Sequence, residues 1–156
     1  MTIRTATHSD IPSLLRLLSQ VLDVHHKGRP DLFKGGAAKY TSEELEALLA
    51  DPMRPVFVSE NEDGYITGYC FGIFQQAIGN NILTDIKTLY IDDLCVDETC
   101  RGQHIGTALY NYMKDFAKAE GCYNVTLNVW ALNEGAVDFY KALGMKTQKI
   151  GMEEIL

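Results

Sequence analysis

Apolar residues recur along the chain with two different periods, which predict helices and strands. The first helix is predicted to begin at Ser9 or Asp10, because its apolar residues fall three and four positions apart and would share one buried face. Thr41 and Glu44 form a capping-box pattern that opens a second, shorter helix. Runs rich in β-branched and aromatic residues predict strands over 3–6, 55–60, 66–74, 87–96, 124–129 and 145–150.

The order of these elements predicts an α/β fold with a mixed sheet and helices on both faces. The second and third strands flank turn residues and should pair as an antiparallel hairpin, whereas later strands are linked through helices that Gly121 and Gly144 end. The stretch 25–36 breaks the helical period and is predicted to be a functional loop. With 156 residues and 46% hydrophobic content, the chain is expected to form one domain over 1–156.

Composition and charge narrow the classes of function. A net charge of −7 without a basic block argues against a nucleic-acid partner. No apolar stretch is long enough to span a bilayer and no signal peptide is visible, so a cytoplasmic protein without a membrane partner is expected. The four cysteines have no zinc-ligand spacing, which predicts free thiols and no metal site.

The segment 97–107 joins a predicted strand to a predicted helix and has the character of an anion-binding turn. Backbone N–H groups at a helix start have no intrahelical partner, and the helix dipole adds positive potential. Arg101 supplies a fixed charge, and glycines allow close approach of phosphate oxygens. Neither a P-loop nor a dinucleotide-binding glycine pattern is present. The segment predicts a phosphate-bearing ligand.

Two spaced motifs carry a resemblance to a known family. Arg101-x-x-x-x-Gly106 resembles the pyrophosphate loop of the GNAT family of N-acetyltransferases, whose signature is Q/R-x-x-G-x-G/A. His104 stands where that family usually has glycine, and we expect it to adopt the ordinary helix-start conformation without a positive φ. The stretch 128–145 resembles a second motif of the family, V-x-x-x-N-x-x-A-x-x-F-Y-x-x-x-G-F. Its matching residues are Asn133, Ala136, Phe139, Tyr140 and Gly144.

The resemblance implies a GNAT fold, with a mostly antiparallel sheet splayed at the cofactor site, and acetyl-CoA as co-substrate. The loop would bind the pyrophosphate, the preceding strand the pantetheine arm, and the last helix both the arm and the thioester. The cofactor-binding residues so implied are Arg101, Gly102, Gln103, His104, Ile105, Gly106 and Thr107, then Leu94, Cys95 and Val96, then Asn133, Ala136, Phe139 and Tyr140. Tyr140 would protonate the leaving thiolate, for which a phenol of pKa about 10 is suited.

Two adjacent carboxylates interrupt the apolar strand at 87–96. Because successive strand residues face opposite sides, Asp92 and Asp93 are expected to have different tasks. A carboxylate inside a sheet should be paired or have a raised pKa. Resemblance to polyamine-acetylating GNAT proteins implies Asp92 as general base and Asp93 as a contact of the substrate amine. A solvated strand end is the alternative for both.

His25 and Phe33 lie in the loop that, by the same resemblance, lines the acceptor site. The prediction is therefore an acetyl-CoA-dependent N-acetyltransferase in which a primary amine attacks directly in a ternary complex. The acceptor is open between a protein amino group and a small amine such as a polyamine, aminoglycoside or amino acid, with a small cationic amine favoured. A non-catalytic acyl-CoA-binding module of the same fold and a nucleotide-phosphate binder are the alternatives. Dimerisation is common in the family, so a homodimer is also considered.

Overall fold

Five strands and four α-helices make up the computed structural model, which describes all 156 residues. In chain order they are β1 (Thr2–Thr5), α1 (Ile11–Gly28), α2 (Ser42–Leu49), β2 (Val56–Glu60), β3 (Ile66–Gln76), β4 (Lys87–Val96), α3 (Ile105–Ala119), β5 (Asn124–Leu127) and α4 (Glu134–Ala142). The predicted α/β class is confirmed. None of the helices combines the length and the apolar composition that crossing a bilayer requires.

The helices begin where the sequence places polar caps. The Thr41 hydroxyl accepts a hydrogen bond from the backbone N–H of Glu44 at 3.1 Å, as the capping-box pattern predicts. Asn133 caps α4 in the same way, accepting from the N–H of Ala136 at 3.2 Å. Asp10 occupies the N-cap position of α1. Asp10 makes no side-chain capping bond to α1, so local capping explains the starts of α2 and α4 only.

The strands form one sheet in the order β1-β2-β3-β4-β5, in which β4 and β5 are parallel and all other neighbours are antiparallel. Val56 and Val58 of β2 pack with α1 and α2, whereas Phe57 between them packs with α3. This alternation buries both faces of the sheet. The mixed sheet with helices on both faces is confirmed.

A β-bulge in β4 changes which way its side chains face. Phe71 of β3 pairs with Asp93, and the next residue, Gly72, pairs with Ile91, so Asp92 is an extra residue in the ladder. Ile91 packs on the α3 side of the sheet, whereas the carboxylates of both aspartates contact residues on the α1–α2 side. The expectation that the two aspartates face opposite sides is wrong, because strict alternation fails at a bulge.

Two other sequence expectations are wrong. Residues 145–150 form no strand, since their side chains are mostly polar, nearly all exposed, and the segment pairs with no neighbour. Residues 25–28, expected in a loop, are the last turn of α1. His25, His26 and Lys27 suit that position because basic side chains interact favourably with the carbonyl end of a helix.

Candidate active site

The sheet opens between β4 and β5. The parallel pairing runs only from Thr88 opposite Asn124 to Ile91 opposite Leu127. Beyond Ile91, the edge of β4 that faces β5 has no partner strand, and this edge belongs to residues 92–96. An extended ligand can therefore hydrogen-bond to the backbone there as an added strand would. The predicted splay is present at Leu94, Cys95 and Val96.

The loop between β4 and α3 is concave because two of its residues have a positive φ. Gly102 has φ +79°, and His104, the N-cap of α3, has φ +60° and ψ +17°. The expectation of an ordinary helix-start conformation at His104 is wrong. A left-handed residue at this point turns successive N–H groups towards one side, which is the backbone arrangement typical of anion-binding loops. Glycine suits the position better because a Cβ is unfavourable at positive φ.

A buried carboxylate anchors this loop to the rest of the protein. Asp97 is 1% exposed and accepts hydrogen bonds from Arg16, from the Tyr65 hydroxyl at 2.8 Å, and from the Thr99 hydroxyl at 2.8 Å. Arg16 also donates to the carbonyl of Ile66 at 2.8 Å and lies over the Tyr65 ring. Burial alone would raise the pKa of Asp97, but these donors outweigh burial and hold its pKa well below the usual range. Sequence reasoning missed this network because its members come from three separate segments.

Tyr140 of α4 packs against the buried cluster on the α3 side of the sheet, and its neighbour Phe139 contacts the start of α3. A Cβ at Gly106 would lie 3.2 Å from the Phe139 ring and 3.5 Å from Val96, so the Phe139 ring would have to move by a few tenths of an ångström to accept a side chain here. The Tyr140 ring lies 6.4 Å from that of Tyr110. Burial raises the pKa of the Tyr140 phenol above its usual value, so the phenol keeps its proton at neutral pH.

The two aspartates of β4 differ in their partners. Asp92 accepts a hydrogen bond from the Tyr40 hydroxyl at 2.6 Å and pairs with the Lys39 ammonium at 3.1 Å. Asp93 accepts one hydrogen bond, from the Tyr69 hydroxyl at 3.0 Å. Burial raises the pKa of Asp93, and Lys39 and Tyr69 only partly oppose that rise. One carboxylate is thus paired with a cation, whereas the other has a raised pKa and a single hydrogen-bond donor.

An aromatic wall stands beside these acids. The His25 ring lies 5.0 Å from that of Phe33, and Phe33 meets Trp130 edge to face at 5.3 Å. His26 fixes this part of the loop by a 2.7 Å hydrogen bond between Nδ1 and the Phe33 carbonyl. Burial lowers the pKa of His25, although Asp93 opposes the effect, so His25 is neutral at neutral pH. Sequence reasoning named His25 and Phe33 but missed Trp130, the chain's one tryptophan.

The remaining candidates fall into two groups. Gln103, like Arg101, is exposed on the concave loop, whereas Ile105 is buried beneath it and anchors the start of α3.

The four cysteines are free thiols, as predicted; Cys70 and Cys95 are buried. No group of three or more His, Cys, Asp or Glu side chains converges in the structure.

Comparison with known proteins places this site in a family. A family model for the acetyltransferase (GNAT) family matches residues 21–145. The structure of a mutant of the BH1408 protein from Bacillus halodurans superposes with a TM-score of 0.96 at 34% identity, over 100% of this chain and 99% of that chain. An N-acetyltransferase of Methanocaldococcus jannaschii is 42% identical over 60 residues, which are 38% of this chain and only 26% of that protein.

A longer match is to thialysine N-epsilon-acetyltransferase of Mus musculus, which is 26% identical over 153 residues, 91% of this chain and 82% of the mouse protein. The family model covers most of the chain and includes both motifs, the bulged strand and the concave loop. The chain belongs to the acetyltransferase (GNAT) family.

Proposed function

We propose that the protein transfers the acetyl group of acetyl-CoA to the primary amine of a small cationic acceptor, by direct attack in a ternary complex. The observation that carries the proposal is the unpaired backbone edge of β4, which carries Asp93 and leads into the loop with two left-handed residues. Asp93 and Tyr140 are the candidate base and acid. Both have a raised pKa, so the carboxylate accepts a proton readily and the phenol retains one until a basic leaving group needs it.

When bound, acetyl-CoA supplies the acetyl thioester. The N–H groups of the concave loop 101–107 would hold its pyrophosphate, with Arg101 adding positive charge. The free edge of β4 at 94–96 would pair with the pantetheine arm, and its N–H groups would hold the thioester oxygen. Asn133, at the start of α4, would contact the arm as well. The positive φ values in the loop and the unpaired edge of β4 support this assignment.

Asp93 fits the general base better than Asp92, which reverses the roles expected from the sequence. The Asp92 carboxylate is already engaged by Tyr40 and Lys39, so a proton added to it would disrupt both contacts. Asp93 is partly accessible and burial raises its pKa, which suits a group that takes a proton from an ammonium ion. Asp92 would instead add negative charge beside the acceptor.

Two carboxylates beside an aromatic wall favour a cationic acceptor. The faces of Phe33 and Trp130 attract cations, and the net charge of −7 favours the approach of positive ligands. The relative that acetylates thialysine, a cationic amino acid, supports this class.

An acceptor panel tests the proposal. The purified chain is incubated with acetyl-CoA and thialysine, spermidine, kanamycin or glucosamine 6-phosphate, and thiol release is measured. We expect amine-dependent thiol release with the cationic amines and less with the phosphate-bearing sugar. Tyr140→Phe should lower kcat by roughly 10²-fold or more, the usual contribution of a positioned acid, with unchanged affinity for acetyl-CoA. Acetyl-CoA binding without turnover on any amine would instead identify a non-catalytic binding module.

The pH dependence separates the two aspartates. A general base must be ionised to act, so kcat/KM should rise with pH through the raised pKa of Asp93 and then level off. Asp93→Asn should lower kcat/KM and abolish that limb, whereas Asp92→Asn should keep it. If the limb disappears in Asp92→Asn and persists in Asp93→Asn, the assignment of the base is reversed.

We also propose a cytoplasmic location and a homodimer, with residues 1–156 forming a single acetyltransferase domain. Free cysteines are typical of a reducing compartment, which supports the cytoplasmic location.

The homodimer is supported by exposed apolar residues and a free sheet edge. In the C-terminal segment, more than three-quarters of each of three apolar residues is exposed: Ile150, Met152 and Ile155. The edge of β5 has no partner strand and could pair with a second chain. Light scattering on the purified chain tests the dimer.

A further inference from the structure

An ammonium group of the chain itself lies on the acid pair. The Lys39 Nζ is 3.1 Å from the Asp92 carboxylate and donates a second hydrogen bond, also at 3.1 Å, to the Asp92 backbone carbonyl. Its charge also acts on Asp93, whose ionised form it favours. Lys39 therefore holds the position that the proposed function gives to the ammonium of an acceptor.

The backbone next to Lys39 is anchored to Asp92, whereas the Lys39 side chain is partly exposed. The neighbouring Tyr40 is held by the same carboxylate of Asp92, which keeps this part of the α1–α2 loop against the site. The Lys39 side chain is 40% exposed, and an ion pair of this exposure is weak. A flexible four-carbon stem lets Nζ leave the carboxylate without moving the backbone. The Lys39 amine therefore contacts Asp92 and can leave it by rotation of its own side chain.

Asp93 is sensitive to this amine. The Lys39 charge opposes the rise in the pKa of Asp93, and the Asp93 charge in turn helps to raise the pKa of Tyr140. Lys34, on the same loop, is exposed and makes no ion pair or hydrogen bond. Among these two lysines, Lys39 alone is positioned to react.

We propose that Lys39 is an acetylation site of the protein's own activity, modified when no acceptor amine is present; the inference rests on the proposed function. The Nζ attacks the acetyl carbon of acetyl-CoA, an N–C bond forms and the C–S bond breaks. The ammonium loses two protons: one passes to Asp93 and on to solvent, and the other replaces the proton that Tyr140 gives to the leaving thiolate. The products are acetyl-lysine at position 39 and free coenzyme A.

Peptide mapping by mass spectrometry tests this on the full chain incubated with acetyl-CoA alone. We expect Lys39 to be acetylated at least about ten-fold faster than Lys34, because its position replaces a bimolecular encounter. Thiol release should show a burst of about one equivalent, which Lys39→Arg abolishes and Lys34→Arg retains. Tyr140→Phe should slow labelling of Lys39 and leave Lys34 unaffected.

Two results would overturn the inference: labelling of Lys39 no faster than Lys34, or labelling of Lys39 that Tyr140→Phe does not slow. The same preparation is assayed with the amine panel. Turnover of an amine with an unmodified Lys39 refutes the self-acetylation alone. Absence of both reactions refutes the proposed function together with the inference.

Discussion

Asp97→Asn tests whether a buried carboxylate holds the cofactor loop in place. The substitution keeps the size of the side chain but removes its charge and turns an amide NH₂ towards existing donors. Breaking a buried ion pair costs about 3–5 kcal/mol. Arg16 is one-third exposed and can recover solvation, which reduces the expected loss to about 2–3 kcal/mol. For a chain of this size that corresponds to a fall in Tm of roughly 4–12 °C.

Urea denaturation at neutral pH measures this loss, with Glu98→Gln as the matched control. Glu98 is the exposed neighbour of Asp97 and makes no side-chain ion pair, so its substitution should change the unfolding free energy by less than about 0.5 kcal/mol. Asp97→Asn should also bind acetyl-CoA more weakly than the wild type, because the substitution removes the anchor of the loop. A loss of stability below about 0.5 kcal/mol for Asp97→Asn would refute the anchoring role.

The sign of the pH dependence follows from the depressed pKa of Asp97. The folded-state pKa lies below that of the unfolded chain, so the unfolded chain binds the proton first as pH falls. The stabilisation is complete above about pH 4 and is lost progressively at lower pH. The difference in unfolding free energy between wild type and Asp97→Asn should therefore shrink on acidification. A difference that grows below pH 4 would contradict the assignment.

Three further substitutions test other parts of the structure. His104→Gly should raise stability by about 0.5–1 kcal/mol by relieving the left-handed backbone, measured by thermal unfolding against Gln103→Gly, which has no positive φ to relieve and should not stabilise. Gly68→Ala should cost about 2–3 kcal/mol in urea denaturation, since its Cβ would lie 2.7 Å from a backbone carbonyl of β4, whereas Gly151→Ala meets nothing and should be neutral. Trp130→Ala should raise KM for a cationic acceptor by about 2–10-fold with little change in acetyl-CoA affinity; an unchanged KM would remove Trp130 from the acceptor site.

Features that depend on a few neighbouring residues were predictable from the sequence. The caps at Thr41 and Asn133 and the order of the elements follow from local hydrogen bonding and periodicity. The spacing between Gly106 and Tyr140 identified the family, because both motifs depend on residue types at fixed intervals.

Features that depend on long-range pairing could not be predicted from the sequence. The strand expected at 145–150 requires a partner edge, and a segment of polar side chains gains too little from burial to acquire one. The positive φ at His104 is imposed by the connection between β4 and α3, against the residue's own preference. The Asp97 network joins α1, the β2–β3 hairpin and the loop between β4 and α3, and no local sequence pattern predicts it.

The bulge at Asp92 accounts for the two properties on which the proposed chemistry depends. Before it, Ile91 is paired with β5 and packs against α3; after it, β4 loses β5 and Asp93 faces the α1–α2 loop. One extra residue therefore opens the backbone edge that a pantetheine arm would use and moves a carboxylate to the acceptor side. In an unbulged strand, Asp93 would share the face of Ile91 and lie under α3, away from Lys39. Deleting Asp92 should consequently abolish transfer even if the fold survives, whereas Asp92→Asn, which keeps the bulge, should retain it.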